Sequence, residues 1–193
     1  MSLNLALQGF VQRFKNSDQA MGLIELSQEV IEVNVKNITI SGQLEFFYKH
    51  IILKDKPTLG GDFYMQFYEL HQLEEALVGW RWIDTQHNED LNWNAEYTIF
   101  AERNGDVLFC DCSLEQCPVY GSIQKENYKI ADSLESYFNV INIVIDIEEN
   151  EFNNETVDDD FNFMPGYLLS IKNKISNILG GENVKNFMKF YFD

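Results

Sequence analysis

The chain has 193 residues, of which 45% are hydrophobic and 14% aromatic, enough to bury a core within one domain spanning residues 1–193. Its 31 Asp and Glu residues against 14 Lys and Arg residues give a formal charge of -17, which repels phosphate backbones and anionic lipids. We therefore exclude nucleic acid and membrane partners and expect a basic protein partner; the alternative is that the charge only keeps the protein soluble and monomeric. The sequence has neither an apolar run of about 18 residues nor a signal-peptide pattern, so we expect a cytoplasmic location.

The first third of the chain is predicted to be mainly helical. Apolar residues at spacings of three and four predict a short helix over residues 2–15. A second helix is predicted over residues 19–35, although its second half also alternates as a strand does. Ser41 precedes another apolar set with helical spacing and predicts a third helix from about 42 to 53.

The next stretch contains the first signals of irregular and extended structure. Residues 54–62 include one proline and two glycines and are predicted to form a loop. The aromatic residues that follow predict a strand over 63–68. A short helical turn is expected at 72–77, ending at Gly79.

A β-hairpin is the clearest local prediction of the sequence. The dipeptide Asn104-Gly105 separates two β-like segments, residues 97–101 and 106–110. Asn-Gly is favoured where a two-residue hairpin loop requires positive φ at both positions. Residues 118–120 begin with proline, so they are predicted to be a short extended piece at or after a sheet edge.

The last third is predicted to be helical again, interrupted by an acidic loop. Helical spacing and a capping-box pattern predict a helix from about 132 to 149, whose second half also alternates as a strand does. Residues 148–160 carry seven acidic residues and no Lys or Arg, which predicts a solvated loop. Pro165 opens a further helix, stopped by two glycines, and the apolar end of the extension 165–193 must pack on the body or on a partner.

Several segments in the middle of the chain together form a familiar pattern: residues 40–48, 60–64, 99–111, 118–120 and 131–138. Over roughly residues 24–140 they resemble the SUKH superfamily, which contains the Smi and Knr cell-wall regulators and many bacterial toxin-immunity proteins. Departures are a glycine at position 42 in place of the usual proline, an insertion at 53–58, and a tail beyond Glu149. The resemblance implies an α+β fold, with a mixed, mainly antiparallel sheet flanked by N-terminal and C-terminal helices. Its fold-motif positions are Gly79, Asn104, Gly105, Asp106 and Asp111.

The cysteines and histidines are the candidate residues for metal binding or catalysis. Cys110, Cys112 and Cys117 are too few and too odd in number for a disulfide framework, and they lack the nearby fourth ligand that zinc prefers, so structural cysteines in a reducing compartment are favoured. The histidines stand apart in sequence, and no nucleophile-elbow or His-Glu-x-x-His pattern is present. We predict no catalytic, metal or cofactor residues, and keep as an alternative a hydrolase using His71 or His87.

The predicted function is therefore protein binding without catalysis. The leading hypothesis is an immunity-type protein that neutralises a basic toxin domain, for example a nuclease, by electrostatic docking. An alternative is a regulatory scaffold of the Smi and Knr cell-wall type. Two tryptophans that alternate as in a strand are more often core than interface, yet tryptophan is enriched among interface hot spots. The candidate partner-binding residues are Glu148, Glu149, Glu151, Asp158, Asp159, Asp160, Trp80 and Trp82.

Overall fold

A computed structural model describes residues 2–193 and contains both helices and one large sheet. The helices are α1 (Leu3–Asn16), α2 (Gly42–His50), α3 (Leu73–Ala76), α4 (Leu134–Ile145), α5 (Pro165–Ile175) and α6 (Gly181–Phe192). The strands are β1 (Ala20–Leu26), β2 (Ile51–Leu59), β3 (Met65–Phe67), β4 (Tyr97–Arg103), β5 (Asp106–Asp111), β6 (Val119–Ile123) and β7 (Glu126–Ala131). Within the described residues, no helix combines the length and apolar character that crossing a bilayer requires.

The seven strands form one sheet in chain order, each antiparallel to the next. The predicted α+β class, with helices at both ends of the chain, is confirmed, and the pairing is antiparallel throughout rather than mixed. The predicted hairpin is also confirmed as β4 and β5. Asn104 and Gly105 have φ values of 52° and 92°, the left-handed conformations that its turn requires.

The helix predicted over residues 19–35 is wrong. Its first part is the edge strand β1, which pairs with β2, and the rest has no regular structure. Apolar residues of β1 were compatible with either period over so short a stretch, and pairing with a distant strand decided between them. Within β1, Gly22 has φ of 74°, and a Cβ there would lie 2.6 Å from the carbonyl oxygen of Asp55.

The loop predicted at 54–62 is largely wrong, because β2 runs through to Leu59 and the helix predicted to reach 53 ends at His50. The register jumps from Leu23 opposite Lys54 to Met21 opposite Thr58, so three residues of β2 face the single Gly22. This bulge contains Pro57. The two residues before it, Asp55 and Lys56, have positive φ values. Proline is tolerated in a strand at such a bulge, where it need not donate to the ladder.

The end of the sheet also differs from the sequence prediction. Pro118 was expected near an edge, but β6 is an inner strand between β5 and the unpredicted edge strand β7. The oxygen of Pro118 accepts a hydrogen bond from the Asp111 N–H at 3.0 Å. Proline is tolerated here because it directly precedes β6, where only its carbonyl group takes part in strand pairing and no N–H donor is needed.

The two faces of the sheet bury different clusters. Phe100, Leu108 and Cys110 belong to a large cluster shared with α1, α4 and α6, whereas Ile99 and Phe109 belong to a second one. This follows from side-chain alternation along β4 and β5. The second cluster is covered by the segment between α3 and β4.

The helix α6 packs on β6 and β7, and α5 packs against α4 and α6, so the apolar end of the chain packs on the body, one of the two outcomes predicted. Phe187, Tyr191 and Phe192 are buried, and Phe63 stacks on Tyr191 with ring centroids 4.2 Å apart. The α5 helix begins at Pro165 as predicted, and Gly180 is the N-cap of α6. The helix predicted over 132–149 is α-helical only as far as Ile145. The next residues, Asp146–Glu151, form one π-helical turn.

Candidate functional site

The tryptophan-rich segment, residues 77–96, covers the second cluster and contains two of the candidate partner-binding residues. Trp80 and Trp82 were predicted to share one face of a strand, which is wrong because Trp80 lies in a turn and Trp82 forms isolated β-bridges with Val78 and Glu89. Trp82 is 3% exposed. Its ring stacks on the His87 ring with centroids 4.9 Å apart, and the guanidinium carbon of Arg81 lies 4.3 Å from the centroid of the Trp82 ring. Trp80 is half-buried against Trp93. These tryptophans mainly stabilise the segment on the sheet.

The same segment also has exposed apolar residues. Ile83 and Leu91 are 65% and 94% exposed. Neighbouring carboxylates are engaged within the protein, since Glu89 pairs with Arg81 at 3.0 Å and Asp90 with Lys125 at 3.0 Å. Charge on this surface is therefore partly neutralised before any partner arrives.

The fold-motif positions have structural roles. Gly79 has φ of 86°, at the turn that follows α3. The Asp111 carboxylate accepts hydrogen bonds from the backbone N–H and the hydroxyl of Ser113, which fixes the chain just beyond β5. Burial raises the pKa of Asp106, next to the hairpin turn. Gly79 and Asp111 therefore shape turns around the sheet.

Glu148 is the main correction to the predicted acidic loop, since its side chain is buried and only 5% of the residue is exposed. It lies in the π-helical turn together with Glu149 and Glu151, and Glu151 is exposed and pairs with Lys174. A buried carboxylate cannot contact a partner, so Glu148 is removed from the candidate surface. Sequence reasoning missed this because a run of acidic residues gives no sign of which one faces inward.

Glu148 is held by a small polar network under the β2–β3 connection. Its carboxylate accepts hydrogen bonds from the Asp62 N–H at 3.3 Å and from the Tyr167 hydroxyl at 3.2 Å. The Thr156 hydroxyl donates to the Asp62 carboxylate. Desolvation by burial raises the pKa of Glu148 to about 7, against the lowering effect of the Tyr167 hydrogen bond, and the nearby Asp62 charge raises it further.

The end of the acidic loop and the two residues after it form a defined turn, residues 158–162, which we call the acidic turn. The Asp158 N–H donates to the Asn162 oxygen at 2.9 Å, and the Asp158 carboxylate accepts from the N–H groups of Asp160 and Asn162 at 3.0 and 2.9 Å. A bridge between Val157 and Phe163 closes its base. The prediction of a solvated segment holds for these residues, which are exposed, but their backbone is ordered by local hydrogen bonds.

Phe161 stands at the tip of the acidic turn and was not predicted as a site residue. It is 87% exposed, and its φ of 61° places it in the left-handed region, which residues other than glycine rarely adopt. Asp159 and Asp160 precede it, both exposed. The sequence signal was present: an Asp-x-x-Phe-Asn stretch allows an aspartate side chain to close a turn around an aromatic residue.

The acidic turn combines two chemical features that favour binding of another molecule. It presents an exposed aromatic ring on a turn whose backbone is ordered, next to the exposed carboxylates of Asp159 and Asp160. Aromatic residues supply large contact area at low entropic cost, and the surrounding carboxylates attract cations. The acidic turn therefore combines an exposed aromatic side chain with carboxylates that attract cations.

The histidines proposed for the hydrolase alternative lie near carboxylates. His71 is 3.6 Å from Glu69 and His87 is 3.8 Å from Glu74. His71, Glu69 and Glu74 line an open cleft of about 410 Å³. Among the described residues that line this cleft there is no serine, threonine or cysteine, so it does not place a nucleophile of that kind beside His71.

The three cysteines are free thiols and are buried where β5 ends and β6 begins. The prediction of structural cysteines agrees with this burial. Over residues 2–193, His, Cys, Asp and Glu side chains do not assemble in groups of three or more suited to a metal ion.

No family model, curated protein or solved structure matches this chain.

Proposed function

We propose that this protein is a non-catalytic binding module that docks a basic protein partner on its acidic turn. The biological role that we propose is immunity-type neutralisation of a basic toxin domain, such as a nuclease. The observation that carries the proposal is Phe161, exposed and held in a fixed turn among Asp158, Asp159 and Asp160.

Two further features support it. The formal charge of -17 would accelerate encounter with a cationic partner by about 10 to 1,000-fold. Exposed aromatic residues of this kind act as hot spots when they enter a pocket on a partner. The charge would then set the rate of association, and Phe161 the rate of dissociation.

The test begins with affinity capture from cells of the source organism, followed by kinetics with the captured protein. Phe161→Ala is expected to raise the dissociation rate by about 30-fold or more, since hot-spot truncations cost about 2 kcal/mol or more. The double substitution Asp159→Asn and Asp160→Asn is expected to slow association at low salt, and to converge with the wild type as salt screens the charge.

The matched control is Leu91→Ala, which removes an apolar side chain that is 94% exposed in the tryptophan-rich segment. It should leave both rates unchanged. Weakened binding with Leu91→Ala but not with Phe161→Ala would move the docking surface to that segment. Association that is equally fast at low and high salt would contradict electrostatic docking.

The toxin-neutralising role has its own test. A basic toxin encoded next to this protein should be inactivated by the purified wild type and much less by Phe161→Ala. A partner that is captured through the acidic turn but has no toxic activity would keep the binding function and reject the immunity role.

A further inference from the structure

The sheet has a gap inside its strand order, next to the first half of β2. Only Thr58 and Leu59 of β2 pair with β3, and after β3 the chain turns into a 3-10 helix, Leu70–Gln72. Residues 51–54 of β2 pair with β1 on one side, but no described strand residue pairs with them on the other side. This part of β2 therefore has a free edge, although β2 is not an outer strand of the sheet.

The hydrogen-bond pattern of the β1–β2 ladder shows which backbone groups face the gap. The Ser27 N–H donates to the His50 oxygen at 2.8 Å, one step beyond the last register pair of the ladder. Bonded and non-bonded pairs alternate in an antiparallel ladder, so Leu53 and Ile24, three steps further on, form a non-bonded pair. The N–H and C=O groups of Leu53 therefore point away from β1 and towards the gap.

The cleft of about 410 Å³ that contains His71 opens at this edge. It is lined by three consecutive residues of β2, namely Ile51, Ile52 and Leu53. Successive side chains of a strand point to opposite faces of the sheet, so a cleft that touches three residues in a row borders the edge of the strand. The edge towards β1 is already paired, so the cleft borders the free one.

Three backbone groups remain for a ligand along this edge. They are the N–H and C=O of Leu53 and the C=O of Ile51, which is also in a non-bonded pair with β1. The Ile51 N–H is already used, because it donates to the Phe47 oxygen at the end of α2. Among residues 2–193, no turn or loop hydrogen bond of the backbone reaches these three groups. Unpaired N–H and C=O groups of this kind are a template for pairing with another chain.

The cleft also has two carboxylates, Glu69 and Glu74. Glu69 accepts a hydrogen bond from the Lys56 backbone N–H at 3.3 Å, and Glu74 accepts one from the Asn37 side-chain amide at 2.8 Å. Both donors are uncharged, so they position the carboxylates without neutralising them. Lys36 carries the one fixed positive charge among the described residues that line the cleft. The charges of the cleft therefore favour a cationic ligand.

The kind of occupant follows from the position of the gap. It lies between β2 and the chain that follows β3, so it admits a single extended segment more readily than the edge of another folded sheet. A second copy of this chain is disfavoured as the source of that segment, because each copy carries a formal charge of -17. Val35 and Leu70 also line the cleft, so apolar side chains of the segment have contacts there.

We propose that this cleft binds an extended basic segment of another protein, which adds a strand to the free edge of β2. The backbone of the segment donates to the oxygens of Ile51 and Leu53 and accepts from the Leu53 N–H. Its Lys or Arg side chains pair with Glu69 and Glu74. Strand addition takes affinity from main-chain hydrogen bonds and specificity from alternate side chains. The cleft is separate from the acidic turn, so this proposal does not rest on docking at Phe161.

The experiment titrates the full-length, isotope-labelled protein with the capped peptide Lys-Val-Lys-Val-Lys and follows backbone amides by NMR. At a peptide concentration about ten times its Kd, exchange of the Leu53 N–H with solvent is expected to slow by about 10-fold, because the bound state protects it. A capped peptide with glutamate in place of each lysine should not bind. The lysine peptide with N-methylated backbone amides should also fail, because it keeps the charge but loses its donors.

Variants separate the cleft from other acidic surfaces. Glu74→Gln is expected to weaken binding of the lysine peptide by about 2- to 5-fold, the range for a partly exposed ion pair. The matched control is Glu75→Gln, because Glu75 is exposed and adjacent but does not line the cleft. It should leave the affinity unchanged. Phe161→Ala should also leave it unchanged, so loss of peptide binding in that variant would place the peptide on the acidic turn and overturn this proposal alone.

Other results would overturn strand addition as well. These are equal binding of the lysine and glutamate peptides, binding without slower exchange at Leu53, and no change at the cleft amides up to the solubility limit of the peptide. None of these measurements on the wild type requires a variant to fold.

Discussion

Glu148 shows how a single residue can link pH to stability. Its folded-state pKa of about 7 lies above its ordinary value of 4.5, because burial disfavours the charged form. Between these two values the folded state binds more protons than the unfolded state. The free energy of unfolding therefore decreases as pH rises through this window, and the cost of the buried charge is fully present above it.

Substituting Glu148→Gln is expected to remove this cost, with the amide oxygen accepting from the Asp62 N–H and the amide nitrogen donating to the Tyr167 hydroxyl oxygen. The variant should be more stable than the wild type by up to about 3 kcal/mol at about pH 8, with the difference shrinking towards about pH 5. Urea unfolding at both pH values measures it. Glu155→Gln, on the exposed part of the same segment, should change stability by less than about 0.5 kcal/mol at either pH. An equal effect of Glu148→Gln at both pH values would contradict the buried-charge explanation.

At the scale of elements, α6 is joined to the sheet by close packing that depends on a missing side chain. Phe190 lies over Gly121 of β6, where a Cβ would come within 2.3 Å of the aromatic ring. The Arg103 guanidinium donates a hydrogen bond to the backbone carbonyl oxygen of Tyr191 at 2.6 Å. This carbonyl, in the last turn of α6, therefore has a hydrogen-bond partner. The helix is therefore part of the core, not a separable addition.

Gly121→Ala is expected to destabilise the protein by about 1 to 3 kcal/mol, because the added methyl group must displace the Phe190 ring. The control is Gly166→Ala in α5, where an added methyl group meets open space. That substitution should be neutral or stabilising by up to about 1 kcal/mol, since alanine favours the helix. Urea unfolding measures both, and equal losses in the two variants would show that packing against α6 is not the cause.

At the scale of the whole molecule, the charge imbalance is distributed over the surface. Among the described acidic residues, Glu148 is buried while the others are at least partly exposed. Several carboxylates are paired, including Asp146 with Arg13 at 2.6 Å, yet 14 cations cannot neutralise 31 acids. Self-repulsion therefore opposes the compact state.

Raising sodium chloride from about 0.01 M to about 0.15 M shortens the Debye length from about 30 Å to about 8 Å. We expect the thermal midpoint to rise by about 3 to 6 °C, because screening weakens repulsion more than it weakens the few ion pairs. Choline chloride at the same ionic strength should produce the same shift. A rise with sodium alone would indicate specific ion binding instead, and a fall would show that attraction between charges dominates.

Local signals were enough for part of this structure. Asn104-Gly105 specified its hairpin, Pro165 the start of α5, and the regular apolar spacing of α1 its helix, because each depends on neighbours within a few residues. For the candidate site, the sequence identified the acidic segment but not the exposure of Phe161.

Contacts between distant parts of the chain decided the rest. Whether residues 20–26 formed a helix or strand depended on β2, and Pro57 became acceptable within β2 because Gly22 made room for the bulge across from it. Glu148 became buried because Asp62 and Tyr167 came together around it from two other segments. By itself the sequence determined the net charge and the local turns, since these depend on composition and near neighbours. Only the tertiary structure decided strand pairing and burial, because these depend on residues far apart in the chain and on the strand register that brings them together.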